Sequence, residues 1–153
     1  MAVKPIPDGY RSVTPYLYLR GAAAAIDFYK QAFGATELMR LEDPTGRIDH
    51  AEIRIGDSII MLADEFPGKG ISSPTSLAGT SVGIALYVED VDRQFEQAVA
   101  AGASVVQPVQ DQFYGDRCGT IQDPFGHSWT LTTHIEDLPP EAITQKYKAM
   151  FTQ

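Results

Sequence analysis

The chain has 153 residues, 44% apolar and 21% charged, with a formal net charge of −8. That balance describes one compact unit, or two half-size units sharing a core, and excludes a disordered or fibrous chain. It also excludes a nucleic-acid partner, which needs a basic face, and no apolar run reaches the roughly 18–20 residues of a membrane span. Met1 to Tyr10 carries Lys4, Pro5, Pro7 and Asp8 and no apolar stretch of the secretory kind. The single cysteine, Cys118, closes no internal disulfide, so the expected location is the cytoplasm.

Ser12 to Leu19 is rich in β-branched and aromatic residues and predicts a strand, with Thr14, Tyr16 and Tyr18 on one face and Pro15, Leu17 and Leu19 on the other. Ala25, Ile26, Tyr29, Ala32 and Phe33 then fall at helical spacing within Ala22 to Phe33, and Gly34 stops the helix. A strand near Ala35 to Glu42 leads to the turn Asp43-Pro44-Thr45-Gly46. Arg47 to Ile55 alternates: Ala51, Ile53 and Ile55 are apolar, while His50, Glu52 and Arg54 are polar. Ile48 falls off that parity, which predicts a bulge near Asp49. Gly56-Asp57 turns the chain into Ser58 to Asp64, a strand with little polarity on either face, as expected when both are covered. Residues 66–80, full of glycine, proline and serine, read as a crossover linker.

The order then repeats. Ser81 to Val88 reads as a strand, Asp90 to Ala101 as a helix with Asp90 as N-cap, and Ala103 to Val109 as a strand; two more strands flank Asp123-Pro124-Phe125-Gly126. Phe33-Gly34-Ala35 precedes Ala101-Gly102-Ala103 by 68 positions, whereas the two Asp-Pro-x-Gly turns lie 80 apart. If those turns are equivalent, the second half carries a longer excursion around Gln110 to Gly115. Pro139 to Phe151 predicts a C-terminal helix, packed on the body or on a second subunit. The expected organisation is one domain over 1–153, with halves at about 10–65 and 81–137 and a C-terminal helix at about 139–151.

Four segments in order carry a resemblance: TPYLYLRGAAAAIDFYKQAFGA, HAEIRIGDSIIMLADE, IALYVEDVDRQFEQAVAAGA and YGDRCGTIQDPFGHSWTLTTHIED. Together they resemble the vicinal-oxygen-chelate superfamily of glyoxalases, bleomycin-resistance proteins and dioxygenases, in its PhnB-like branch. The resemblance implies an α+β fold in which two βαβββ modules form a cupped mixed sheet. It also implies metal ligands, two histidines and two acidic residues, on the first and last strands of each half. Those positions fall at Thr14 (or Pro15), Met61, Gly83 and Thr130. Glycine has no side chain, the thioether is too soft and the hydroxyls are weak donors, so neither a divalent metal nor another cofactor is expected.

Parity from these positions places Tyr16, Tyr18, Ile59, Met61, Ala63, Ala85, Tyr87, Ser128, Thr130 and Thr132 toward the cup, with His50, Glu52 and Arg54 on one wall. Such a hollow suits a planar or amphipathic small molecule. Tyr16 and Tyr18 either stack on that ligand or fill a surface closed by a partner. His50 and Glu52 are either an acid–base pair, ligands of a displaced metal, or members of a surface network with Arg54. Tyr114 and Arg117 sit where a flap over the cup would lie, Arg117 clamping an anion or pairing with Asp116 or Asp123. His127 reads as a turn residue, His134 as solvated, and Trp129 and Cys118 as buried. Without a GxSxG, P-loop, HExxH or CxxC pattern, the common nucleophile, nucleotide and metalloprotease readings lack support.

The expected function is a metal-free, homodimeric binding protein for an aromatic or amphipathic small molecule. The alternative is a glyoxalase-like lyase or isomerase acting on a small oxygenated substrate, through a relocated metal or the His50/Glu52 pair. A third reading is a structural or regulatory module with a closed cup.

Overall fold

The computed structural model describes residues 2–152. Its elements follow the repeat: β1 (Tyr16–Leu19), α1 (Ala22–Phe33), β2 (Thr36–Glu42), β3 (Ile48–Ile55) and β4 (Ser58–Asp64), then β5 (Gly83–Tyr87), α3 (Val91–Ala101), β6 (Ser104–Asp111), β7 (Asp116–Gln122) and β8 (Ser128–His134). The crossover between the halves holds a 3-10 turn at Pro67–Lys69 and a one-turn helix, α2 (Pro74–Leu77); α4 (Pro140–Ala149) closes the chain. Each half is a four-stranded mixed sheet, in the orders β1-β4-β3-β2 and β5-β8-β7-β6. β1 runs parallel to β4, and β5 parallel to β8.

Helix positions explain why the two halves make one core. The apolar stripe of α1 (Ala22, Ala25, Ile26, Tyr29, Ala32) is buried throughout, and its two large rings reach across the repeat. The Tyr29 and Phe33 rings lie 5.4 Å and 4.8 Å from the Trp129 ring of β8. Leu17 and Leu19 of β1, Ile53 of β3 and Leu62 of β4 face the same interior, as do Ile121 and Leu131 of the second half. Capping differs between the helices. The α3 N-terminus is capped by the side chain of Asp90, which accepts the Arg93 N–H at 3.2 Å. Gly21, at φ 90°, offers α1 no side chain; instead Asp64 of β4 accepts the N–H groups of Gly21 and Ala22 at 3.0 Å and 2.8 Å.

Three expectations need revision. The first strand begins at Tyr16 and not Ser12, because Thr14 turns back to bond the Arg11 carbonyl at 3.0 Å. The two Asp-Pro-x-Gly turns are not equivalent: residues 43–46 join β2 to β3, whereas residues 123–126 join β7 to β8. Core positions recur at a constant spacing of 68 or 69 (Leu17 and Leu86, Ile26 and Phe95, Ile53 and Ile121, Leu62 and Leu131), so the second half has no longer excursion. The bulge read from Ile48 is present, as the β2–β3 register shifts between the pairs Leu41–His50 and Glu42–Ile48. α4 buries none of its residues, and its Tyr147 ring rests 5.9 Å from Phe113 of the β6–β7 turn.

Candidate functional site: a cleft between two sheet edges

β1 and β5 are the edge strands of their sheets and are not hydrogen-bonded to each other. Between them lies a cleft of about 720 Å³, walled by Pro15, Tyr16 and Tyr18 on one side and by Gly83, Ala85 and His127 on the other. Leu77 and Val82 of the crossover complete it. The apolar character follows from the sequence locally. Alternation in β1 sends Leu17 and Leu19 to the core and leaves the two tyrosine rings, 5.1 Å apart, on the opposite face. Small residues at Gly83 and Ala85 keep the facing strand low. His127 fastens the cleft floor by a 3.1 Å contact from Nε2 to the Tyr18 carbonyl, 109 residues away.

One wall carries a connected polar chain. Tyr16 Oη lies 2.8 Å from His50 Nδ1, and His50 Nε2 lies 2.7 Å from Glu52 Oε2. Tyr10, on the N-terminal strap, donates its hydroxyl to the other oxygen of Glu52. Glu52 is 6% exposed because that strap covers it. Burial works to raise its pKa, but the bonds from Tyr10 and His50 outweigh burial and hold it below the usual carboxylate range. With Glu52 ionised as the acceptor, the tautomer that satisfies both contacts places a proton on His50 Nε2 and leaves Nδ1 to accept from the Tyr16 hydroxyl. Burial, with Tyr18 and Glu52 nearby, pushes the Tyr16 phenol up, so this hydroxyl keeps its proton. The chain thus runs from the cleft to the strap without a gap.

The second sheet carries a polar cluster of its own, built differently. Asp116 accepts the Tyr87 hydroxyl at 3.2 Å and contacts His134 Nδ1 at 2.7 Å, while His134 Nε2 lies 2.7 Å from Asp137. His134 is therefore a paired histidine and not merely a solvated one. Thr120 and Thr130 share a 3.0 Å bond. Tyr114 and the buried Cys118 share a 3.6 Å contact that, with burial, pushes the Tyr114 phenol up to about 12.

Of the residues expected at one site, the structure joins Tyr16, Tyr18, His50 and Glu52, with Met61 beside Glu52 under the strap. Arg54 is exposed beside Gly9, while Tyr87 and Thr130 of the second sheet and Tyr114 of the β6–β7 turn do not line the cleft. Arg117 forms the structural ion pair read as its alternative, but with other partners and not in a flap. It sits on β7 and is clamped at 2.9 Å by Asp92 and by Asp111, neither of them an expected partner, so it forms no flap. Tyr10 and His127 were missed as site residues because their partners lie 42 and 109 positions away. Leu77 and Val82 carried a legible signal, as large apolar residues stranded in a glycine- and serine-rich linker.

The positions that hold metal in the resembled fold do not fit a divalent ion here. Met61 is the β4 partner of Tyr16 and donates its N–H to the Pro15 carbonyl; Thr130 is the β8 partner of Ala85, and Gly83 pairs with Ser128. None of these side chains is an imidazole or carboxylate. A displaced site at His50 fits no better, since both ring nitrogens are engaged, and among the described residues no three His, Cys, Asp or Glu side chains gather as ligands.

Two βαβββ halves around a shared core, with a cleft between their first strands, define the class, and sequence comparison agrees. The chain belongs to the glyoxalase/bleomycin resistance protein/dioxygenase superfamily, whose family model matches residues 13–131. It is 45% identical over 136 residues to the uncharacterized protein Rv0887c of Mycobacterium tuberculosis, covering 86% of this chain and 79% of that one. Among solved structures it is similar to TioX of Micromonospora sp. ML1, at TM-score 0.62 and 29% identity over 84% of this chain and all of that one. A PhnB protein from Bacillus cereus shares the fold at TM-score 0.61 and 19% identity, over 80% of this chain and 99% of that one.

Proposed function

We propose that the protein is a metal-free binding protein that holds a planar aromatic or amphipathic small molecule in the cleft between β1 and β5. The observation carrying this reading is the paired Tyr16 and Tyr18 rings, 5.1 Å apart, forming one wall of an apolar cleft of about 720 Å³. That size falls within the roughly 300–1,000 Å³ usual for small-molecule sites, and stacked aromatics with a few polar groups suit a flat ligand. The protein acts in the cytoplasm as a homodimer, a reading supported by the lone buried thiol and by large apolar residues exposed on the sheets and α4, among them Val105, Val106 and Tyr147.

Calorimetric titration of an aromatic ligand panel tests this. Tyr16→Ala and Tyr18→Ala each weaken binding, by on the order of tenfold for about 1.4 kcal/mol of lost stacking, while Tyr87→Ala, outside the cleft, leaves it unchanged. Affinity that survives both cleft substitutions overturns the reading.

The Tyr10–Glu52–His50–Tyr16 chain supports a second reading, acid–base turnover of an oxygenated substrate by a lyase or isomerase. Tyr16 would meet the substrate, His50 would exchange its proton, and Glu52 would hold the imidazole. Under that reading His50→Ala abolishes turnover while sparing ligand affinity, and a fully active His50→Ala removes it.

A further inference from the structure

The turns joining the last two strands differ between the halves, and beside the shorter one lies a cavity. In the second half β7 and β8 are joined by Pro124-Phe125-Gly126, closed by the Asp123 N–H bonding the His127 carbonyl at 2.8 Å. Phe125 reaches from this turn into the first half. Its ring lies 6.3 Å from the Phe28 ring, and one ring carbon lies 3.9 Å from where a side chain on Gly21 would begin. In the first half the corresponding turn is only Gly56-Asp57, with Ile55 paired to Ser58. No aromatic residue stands in that turn.

The counterpart of the Phe125 seat is a cavity of about 830 Å³. Its walls include the repeat equivalents of the residues against Phe125: Asp90 and Gln97 stand 69 positions after Gly21 and Phe28, and Leu86 and Val88 stand 69 after Leu17 and Leu19 of β1. Ile55, Gly56 and Phe33 close it from the first half. Where the first half is filled by the phenyl ring of Phe125, the second leaves open space.

Rim chemistry narrows what fits. Gln94 and Gln97 each spend an amide N–H on α1, to the Ala32 and Gln31 carbonyls at 2.6 Å and 2.7 Å. Their side-chain oxygens remain as acceptors. Glu89 and Asp90 add two carboxylates against two basic groups, Arg93 and His134, and His134 is already engaged at both ring nitrogens by Asp116 and Asp137. Acceptors and negative charge dominate, so an aromatic ring bearing an amine is favoured over one bearing a carboxylate.

We propose that this cavity, separate from the β1–β5 cleft, is a binding site for a single-ring aromatic amine whose ring takes the place that Phe125 occupies in the other half. The test is a titration of isotope-labelled full-length protein with 2-phenylethylamine, followed by amide NMR, with phenylacetate as the matched anion. Shifts gather at Ile55, Leu86 and the side-chain amides of Gln94 and Gln97, and phenylacetate binds at least about tenfold more weakly, about 1.4 kcal/mol. Gln97→Phe, which restores the residue standing at Phe28 in the first half, fills the rim and lowers amine affinity by a similar factor. Replacing Gly56-Asp57 by Pro-Phe-Gly supplies the missing ring and abolishes binding. Equal affinity for the two ligands, shifts confined to Tyr16, Tyr18 and His127, or binding that survives both replacements overturns the proposal.

Discussion

The hydroxyl of Tyr29, on α1, donates a 2.6 Å hydrogen bond to Oδ2 of Asp123, 94 residues later in the turn after β7. The same carboxylate accepts the indole N–H of Trp129 at 2.9 Å and the N–H groups of Phe125 and His127 at 2.9 Å and 3.0 Å. One buried acid thus shapes its own turn and ties the halves together. Burial and then Asp123 push the Tyr29 phenol well above its ordinary value, which keeps it a donor. Tyr29→Phe removes one charge-assisted bond and should cost about 1.5–3 kcal/mol. Asp123→Ala also strands the Tyr29 hydroxyl and the Trp129 N–H, so it should cost at least about 3 kcal/mol. Urea unfolding of the two variants checks the order.

The crossover is anchored by Glu65, which accepts the Ser76 hydroxyl at 2.7 Å, the Ser73 N–H at 2.9 Å and Arg20 Nε at 3.0 Å. These bonds, led by Ser76, lower its pKa from the ordinary 4.5 to about 2. A depressed carboxyl contributes stability that is fully present above its unfolded value and disappears as pH falls through the folded one. Thermal melts should therefore lose stability between about pH 4.5 and pH 2, and Glu65→Gln should flatten that window.

His134 behaves in the opposite sense. Asp116, then Asp137, raise its pKa above the ordinary 6.5. Its contribution is complete below that ordinary value and is lost as pH rises through the raised one. An NMR titration should find the native imidazole titrating above 6.5, with Asp116→Asn bringing it down.

Gly119, on β7, is a close-packing position. A methyl group there would stand 2.7 Å from the Phe95 ring and 2.9 Å from a methyl of Val109. Gly119→Ala should cost about 1–3 kcal/mol through overpacking, and Gly119→Ala with Phe95→Leu should recover part of it. Denaturant midpoints measure both.

Local chemistry made much of the fold legible. The stripe Ala25, Ile26, Tyr29, Ala32 and Phe33, closed by Gly34, identifies α1, and the same logic with Asp90 and Gly102 identifies α3. The parity slip at Ile48 placed the β3 bulge correctly because side-chain direction in a strand has period two. The turn comparison failed for an equally physical reason. Asp-Pro-x-Gly is a local solution to reversing the chain, and the same tetrapeptide serves β2–β3 in one half and β7–β8 in the other.

For the candidate site, parity in β1 and β3 put Tyr16, Tyr18, His50 and Glu52 on the right faces. Parity could not say which faces meet. Strand alternation fixes a side chain relative to its own backbone, whereas the approach of β1 to β5, the strap that brings Tyr10 to Glu52, and the clamping of Arg117 by Asp92 depend on how the halves pack. The sequence alone therefore determined the repeat, the helices and the inward faces, since these follow from local propensity and periodicity. Tertiary structure decided the cleft, the hydrogen-bond chain and the space left opposite Phe125, because each joins residues distant in sequence whose meeting only the shared core enforces.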